Sequence, residues 1–127
     1  MKLKREVIHI KGATHKNPIP TAVKIKNLVY SSALKGTHPE TGEIPENVEE
    51  EVENIFNYIR EIVKKAGGST DDIAKVSVSL VDRELKKVVN KEWLKMFPND
   101  NNRPVRHSTV RNLNVGLSVQ IEFIAVL

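Results

Sequence analysis

The chain has 127 residues, of which 39% are hydrophobic and 5% aromatic, and its formal charge is +4 at pH 7. This length suits one domain with an aliphatic core of its own, and the apolar fraction excludes a disordered chain. The absence of cysteine excludes disulfides, thiol nucleophiles and cysteine metal sites. We therefore expect a single domain over residues 1–127.

The charge pattern bears on the possible partners. The chain has 20 Lys and Arg residues against 16 Asp and Glu residues, and the basic residues are scattered. Nucleic-acid-binding proteins concentrate positive charge and interleave it with stacking aromatics, so a nucleic-acid partner is not expected. No apolar run approaches the roughly 20 residues of a membrane helix, and the N-terminus lacks the apolar region of a signal peptide. The expectation is no membrane partner and a cytoplasmic location.

The first half of the chain predicts three strands and a helix. Residues Glu6–Lys11 alternate apolar and polar side chains as a strand does, and a two-residue turn joins Ala22–Ile25 to Leu28–Ala33 in a hairpin. After a polar loop, apolar residues recur every three or four positions over Glu46–Ala66. This period is that of an amphipathic helix, and Asn47 is placed to cap its start.

The second half predicts a strand, a helix and two more strands. Ile73–Val81 alternates like a strand, and Asp82 caps a second helix that Pro98 ends. Val105–Arg111 and Leu117–Leu127 are the last two strands. The order βββαβαββ predicts an α+β domain, a mixed β-sheet with two helices on one face. The opposite face mixes apolar and small polar side chains, which suggests burial against other subunits.

The last two strands are interpreted as a hairpin that turns about Asn114. In this register Arg106 faces Glu122, Ser108 lies beside them on the same face, and His107 points to the opposite, packed face. Such an Arg–Glu pair is either a solvated ion pair or an anion site with an acid or base beside it. Arginine binds carboxylates through two parallel hydrogen bonds, and a glutamate can hold and activate a water. The residues alone leave both interpretations open.

Other kinds of site find no support in the sequence. The four histidines show no metal-ligand spacing with one another or with carboxylates, and the serines lack a nucleophile elbow. Neither a metal site nor covalent serine catalysis is expected.

Four segments, taken together in their order and spacing, resemble the RidA family, also called the YjgF family. They are NLVYSSALKGTHPETG, AGGSTDDIAKVSVSLVD, VVNKEWLKMF, and RPVRHSTV followed by VQIEFIAVL. The resemblance covers nearly the whole chain. It implies a chorismate-mutase-like fold and a homotrimer with clefts between subunits. It also implies hydrolysis of reactive enamines or imines, released by pyridoxal-phosphate enzymes, to 2-oxo acids and ammonia, with no cofactor and no metal.

The resemblance also implies roles for individual residues. Arg106, in the family's Pro-x-Arg motif, would bind the substrate carboxylate, and Glu122 in the last strand would position the water. Asn90 of the second helix and Ser108 fall on substrate-binding positions. An alternative match sets His107 in the arginine's place, but the intact Pro-x-Arg spacing favours Arg106.

Two departures from the family pattern alter the cleft. Many deaminating members have a tyrosine in the first loop and a glycine in the third strand, where this chain has Ile19 and Ser32. A lost hydroxyl removes a polar contact, and a serine side chain occupies space beside the ligand. The expected function is therefore an enamine/imine deaminase acting on 2-iminobutanoate or 2-iminopropanoate. A non-catalytic, carboxylate-binding trimer is the alternative, and ribonuclease activity is a third hypothesis that the scattered charge opposes.

Overall fold

Seven strands form one mixed sheet in the computed structural model of the chain, which describes residues 2–127. The strands lie in the order β1-β2-β3-β7-β5-β6, and the short β4 pairs with β7 beyond the end of β3. Two α-helices complete the fold. The elements are β1 (Glu6–Ile8), β2 (Ala22–Ile25), β3 (Leu28–Ser31), β4 (Leu34–Lys35), α1 (Val48–Lys65), β5 (Ile73–Leu80), α2 (Lys86–Met96), β6 (Val105–Val110) and β7 (Val119–Val126).

Local sequence explains where the helices begin. The side-chain oxygen of Asn47 accepts a hydrogen bond from the Glu50 N–H at 3.0 Å, which satisfies one of the free donors of the first turn of α1. This cap confirms the prediction. Asp82 caps as predicted, but it caps a 3-10 turn over Arg83–Leu85 that runs directly into α2.

Both helices pack on the same face of the sheet, as the sequence predicted. Alternate residues of β7, namely Val119, Ile121, Phe123 and Ala125, are at most 2% exposed and meet the apolar stripe of α1. Each large apolar side chain buried in this way contributes about 1.5–3 kcal/mol. The helix side of this stripe consists of Val52, Ile55, Phe56, Ile59, Ile62 and Val63 from α1, with Val89, Trp93 and Met96 from α2.

The opposite face of the sheet, called the open face here, has no helix on it. Its apolar members include Val7, Tyr30 and Val126, which are 57%, 45% and 42% exposed. Between them lie serines, Gln120 and Glu122. This mixture is the one that the sequence suggested would be buried between subunits, and the trimer stays a prediction.

The predicted hairpin between the last two strands is wrong. β6 pairs with β5 in parallel, with Arg106 beside Val76, whereas β7 pairs with β5 from the other side, with Glu122 beside Ser77. The connection over residues 111–118 carries the chain past β5. Adjacent residues of paired strands project to the same face, so Arg106 follows Val76 to the helix face while Glu122 lies on the open face.

Candidate active site

Polar side chains from β5 and β7 meet in the middle of the open face. Ser77 lies opposite Glu122, and Ser79 lies opposite Gln120 in the antiparallel ladder. The intervening Val76, Val78 and Leu80 are buried under the helices, so strand alternation brings the two serines to the open side. The result is a square of two hydroxyls, one carboxylate and one carboxamide.

Arg111 lies at one end of this square. Its backbone N–H donates to the Leu80 carbonyl at 2.8 Å, which continues the β5–β6 ladder by one residue. Its side chain turns over the open face, where Nε donates to Ser79 Oγ at 3.1 Å and Nη2 to Gln120 Oε1 at 3.4 Å. Within residues 2–127, no carboxylate lies within ion-pair distance of this guanidinium. Arg111 therefore has donor capacity left for an anion.

Two adjoining cavities, of about 250 Å³ and about 90 Å³, have Ser77 and Glu122 in both of their walls. Tyr30, Lys75 and Ile124 line the outer part of the larger one, and Arg111 and Gln120 line the smaller one. We call the two together the cleft. A carboxylate ligand at Arg111 would leave its neighbouring carbon beside Glu122, which can accept a proton from water.

The junction between β3 and β4 forms one side of the cleft. Ser31 Oγ accepts from the Phe123 N–H at 2.9 Å and lines the larger cavity, while Ala33 lines the smaller one. Ser32, between them, donates through Oγ to the Thr21 carbonyl at 2.8 Å, and its oxygen lies 2.7 Å from His15 Nε2. The structure thus sets Ser32 at the edge of the cleft.

Ile19 belongs to the loop before β2, two residues from Thr21, and its side chain is 50% exposed. The Thr21 carbonyl accepts hydrogen bonds from Ser32, so Ile19 lies two residues along the chain from that edge of the cleft, and its contribution to ligand binding stays a prediction.

Arg106 and Asn90 do lie together, but on the helix side of the sheet, and Ser108 projects to the same side. The Arg106 guanidinium stacks over the Trp93 ring at 4.8 Å, and Nη2 donates to Asn90 Oδ1 at 2.7 Å. Burial lowers the pKa of this guanidinium. Ser108 lies beside Val78, which is 2% exposed. The expectation that Arg106 stands opposite Glu122 is therefore wrong, because a cation–π contact and an amide oxygen hold it on the other face.

His107 also differs from the prediction. Its side chain is exposed and lies beside Ser77, on the face of Glu122, rather than in a packed environment. Two matches to the family's arginine position were considered, Arg106 and His107. Only His107 lies on the same face of the sheet as Glu122.

The sequence contained a signal for Arg111 that was missed. His107 and Thr109 of β6 and Arg111, which follows that strand, are every second residue, so strand alternation already placed Arg111 on the same face as His107. The sequence did not tell whether this face or the opposite one packs against the helices. Among the described residues, no group of three His, Asp or Glu side chains could hold a metal ion, and no helix is long and apolar enough to cross a membrane.

Comparison with known proteins adds the family. The family model described as Endoribonuclease L-PSP matches residues 13–127. The chloroplastic Reactive Intermediate Deaminase A of Arabidopsis thaliana is 33% identical over 98% of this chain and 67% of its own length. The chain belongs to the RidA family.

Other RidA-family relatives agree in sequence and in fold. The 2-iminobutanoate/2-iminopropanoate deaminase of Escherichia coli K12 is 29% identical over 86% of this chain and 87% of its own. The crystal structure of RidA from an Antarctic Psychrobacter species superposes with a TM-score of 0.86 at 32% identity, covering 96% of this chain and 99% of that one. These similarities confirm the predicted α+β architecture.

Proposed function

We propose that this chain hydrolyses 2-imino acids of the 2-iminobutanoate and 2-iminopropanoate type to 2-oxo acids and ammonia. The observation that carries the proposal is that Arg111 and Glu122 line one cleft on the open face of a RidA-family sheet. The Arabidopsis and E. coli relatives are both named as deaminases, which supports the same reaction class.

In this proposal Arg111 takes the arginine role that the sequence pattern suggested for Arg106. The substrate carboxylate binds the guanidinium, which Ser79 and Gln120 already orient. A charge-assisted hydrogen bond of this kind contributes about 1.5–3 kcal/mol. It fixes the C2 carbon of the imine above Ser77 and Glu122.

The chemistry needs little beyond orientation, because protonated imines react readily with water. Glu122 accepts a proton as the water oxygen bonds to C2 and the C=N π electrons move to nitrogen, giving a carbinolamine. Glu122 returns this proton to the amine nitrogen, and the C2–N bond then breaks as the hydroxyl loses its own proton to Glu122 and nitrogen leaves as ammonia. Holding the water and the imine together removes most of the entropic cost of their encounter.

Assembly is part of the proposal. A homotrimer that packs the open faces inward would cover Val7, Tyr30 and Val126 and would narrow the cleft between subunits. Sedimentation of the purified chain measures this, and a monomer at micromolar concentration would contradict it.

The test is ammonia release from 2-iminobutanoate generated in situ, with the uncatalysed rate subtracted. Arg111→Met should lower kcat/KM by about 10- to 100-fold, the loss of one charge-assisted interaction, and Glu122→Gln should lower kcat. Arg106→Met is the matched control and should retain kcat/KM within about threefold. An inactive parent would refute the reaction. Loss in Arg106→Met without loss in Arg111→Met would refute the residue roles, and tight 2-oxobutanoate binding without turnover would favour the non-catalytic alternative.

A further inference from the structure

A wider cavity, which shares no wall residue with the cleft, has Lys35 of β4 in its wall. It has a volume of about 440 Å³ and lies between the loop after β1 and the loop after β4. Its wall includes His15, Lys16 and Lys35, together with hydroxyl-bearing Thr14 and Thr41. We call this cavity the loop basin. Nothing in the proposed deaminase chemistry uses it.

Lys35 connects the loop basin to the cleft. It lies directly opposite Gln120 in the β4–β7 ladder, and paired residues project to the same face with their Cβ atoms about 5 Å apart. Gln120 is also the residue that accepts from Arg111. Lys35 and Arg111 therefore flank the same glutamine. Ser79 lies opposite it in the β5–β7 ladder, and Glu122 lies two residues further along β7.

These cations are not neutralised by the described part of the protein. No carboxylate among residues 2–127 lies within 4.0 Å of the charged groups of Lys16, Lys35 or Arg111. The carboxylate in the basin wall, Glu40, pairs with Lys11 at 3.0 Å. Lys35 is partly buried, and its ammonium has no carboxylate partner in the described part of the chain, so it is available to an anion.

His15 lines the loop basin as a neutral side chain, so it adds no charge to that of Lys16, Lys35 and Arg111. Since the Ser32 hydroxyl donates to the Thr21 carbonyl, Ser32 Oγ accepts from His15, and Nε2 carries the proton. Partial burial, and then the nearby Lys35 charge, lower the pKa of His15. The neutral His15 ring therefore donates to Ser32 at the edge of the cleft, close to Lys35.

We propose that the cleft and the loop basin together take 2-imino acids that carry a second carboxylate, with the first carboxylate at Arg111 and the distal one at Lys35. This inference rests on the proposed function and names its substrate class. A short alkyl side chain would reach neither Lys35 nor the basin, whereas a dicarboxylate would satisfy both cations that flank Gln120. The bonds broken and formed at C2 are those of the monocarboxylate reaction.

The binding arm of the test uses calorimetry on the whole chain in its native assembly, with 2-oxoglutarate and 2-oxobutanoate as probes. We expect 2-oxoglutarate to bind at least about tenfold more tightly, the factor that one further charge-assisted contact gives. Lys35→Met should reduce this ratio to near one, and Lys35→Arg should restore most of it. Lys26→Met, at the exposed turn between β2 and β3, is the control and should leave the ratio unchanged. A second variant, Lys35→Gln, covers the case in which the methionine variant fails to fold.

The turnover arm compares kcat/KM for 2-iminobutanoate and for a 2-imino dicarboxylate made in situ by an amino-acid oxidase. A higher value for the dicarboxylate that disappears in Lys35→Met supports the inference. The inference is overturned if 2-iminobutanoate is hydrolysed but 2-oxoglutarate shows no binding preference. It is also overturned if that preference persists in both Lys35→Met and Lys35→Gln. In either case the deaminase proposal stands. Conversely, a Lys35-dependent preference for 2-oxoglutarate without turnover of either imine refutes the deaminase proposal and supports the ligand class.

Discussion

A buried carboxylate in α1 is predicted to hold the strand that carries the cleft. Glu51 is 1% exposed, and its Oε2 accepts from the Ser118 N–H at 2.9 Å and from the Val119 N–H at 3.2 Å. Ser118 directly precedes β7, and Val119 is its first residue. Gln120 follows immediately, and Glu122 lies two residues further.

Glu51→Ala should destabilise the fold by about 2–3 kcal/mol. Each buried N–H left without an acceptor costs about 1–3 kcal/mol, and relief of the buried charge offsets part of the total. For a chain of this size, that corresponds to a fall in Tm of roughly 8–12 °C. Glu51→Gln keeps an oxygen acceptor but loses the charge assistance, so about half of the loss is expected.

Differential scanning calorimetry measures the change, with Glu53→Ala as the control because Glu53 is exposed on the same helix. Amide hydrogen exchange gives a local measurement, in which the Val119 N–H should lose protection in Glu51→Ala and keep it in the control. Equal Tm values for the two alanine variants, with an unchanged Val119 exchange rate, would refute the reasoning.

Two further predictions concern the loop basin. Gly12→Ala should cost roughly 2–4 kcal/mol in urea unfolding, because Gly12 has φ +89° and a Cβ there would lie 2.5 Å from Pro39 Cα. Gly42 has φ +74°, and an added Cβ would have no atom within 4 Å, so Gly42→Ala should cost only the strain of an alanine in the left-handed region, about 1–2 kcal/mol. Equal losses in the two variants would contradict a steric clash at Gly12. For His15, the lowered pKa means that the unfolded chain binds a proton more readily, so its contribution to stability is present above about pH 6.5 and is lost as the pH falls. The Tm difference between pH 7.5 and pH 5.5 should therefore be smaller in His15→Gln than in the parent, and an unchanged difference would contradict it.

Much of the fold followed from local sequence. The period of the apolar residues predicted Glu46–Ala66 as a helix, and α1 spans Val48–Lys65. The Asn47 cap and the β2–β3 hairpin were also predicted correctly, because each depends on residues close in the chain. The β3 prediction ran too far, since residues 32–33 leave the ladder and β4 starts at Leu34.

The candidate site was predicted less well, for a reason that Arg106 and Glu122 make clear. Alternation within a strand tells which side chains share a face, but it does not tell which face the helices cover. An arginine could occupy the helix side only because Trp93 and Asn90 were there to receive it, and both come from α2. The sequence alone did not predict that Arg106 would contact Trp93 and Asn90.

By itself, the sequence determined the elements other than β4, their order, the helix-facing stripe of α1 and the resemblance to the RidA family. Tertiary structure alone decided that β5 inserts between β6 and β7, since strand neighbours are chosen by long-range packing rather than by chain proximity. That insertion sends Arg106 to the helices and brings Arg111 to Glu122. It also sets Lys35 beside Gln120, through a pairing of strands that lie more than eighty residues apart in the chain.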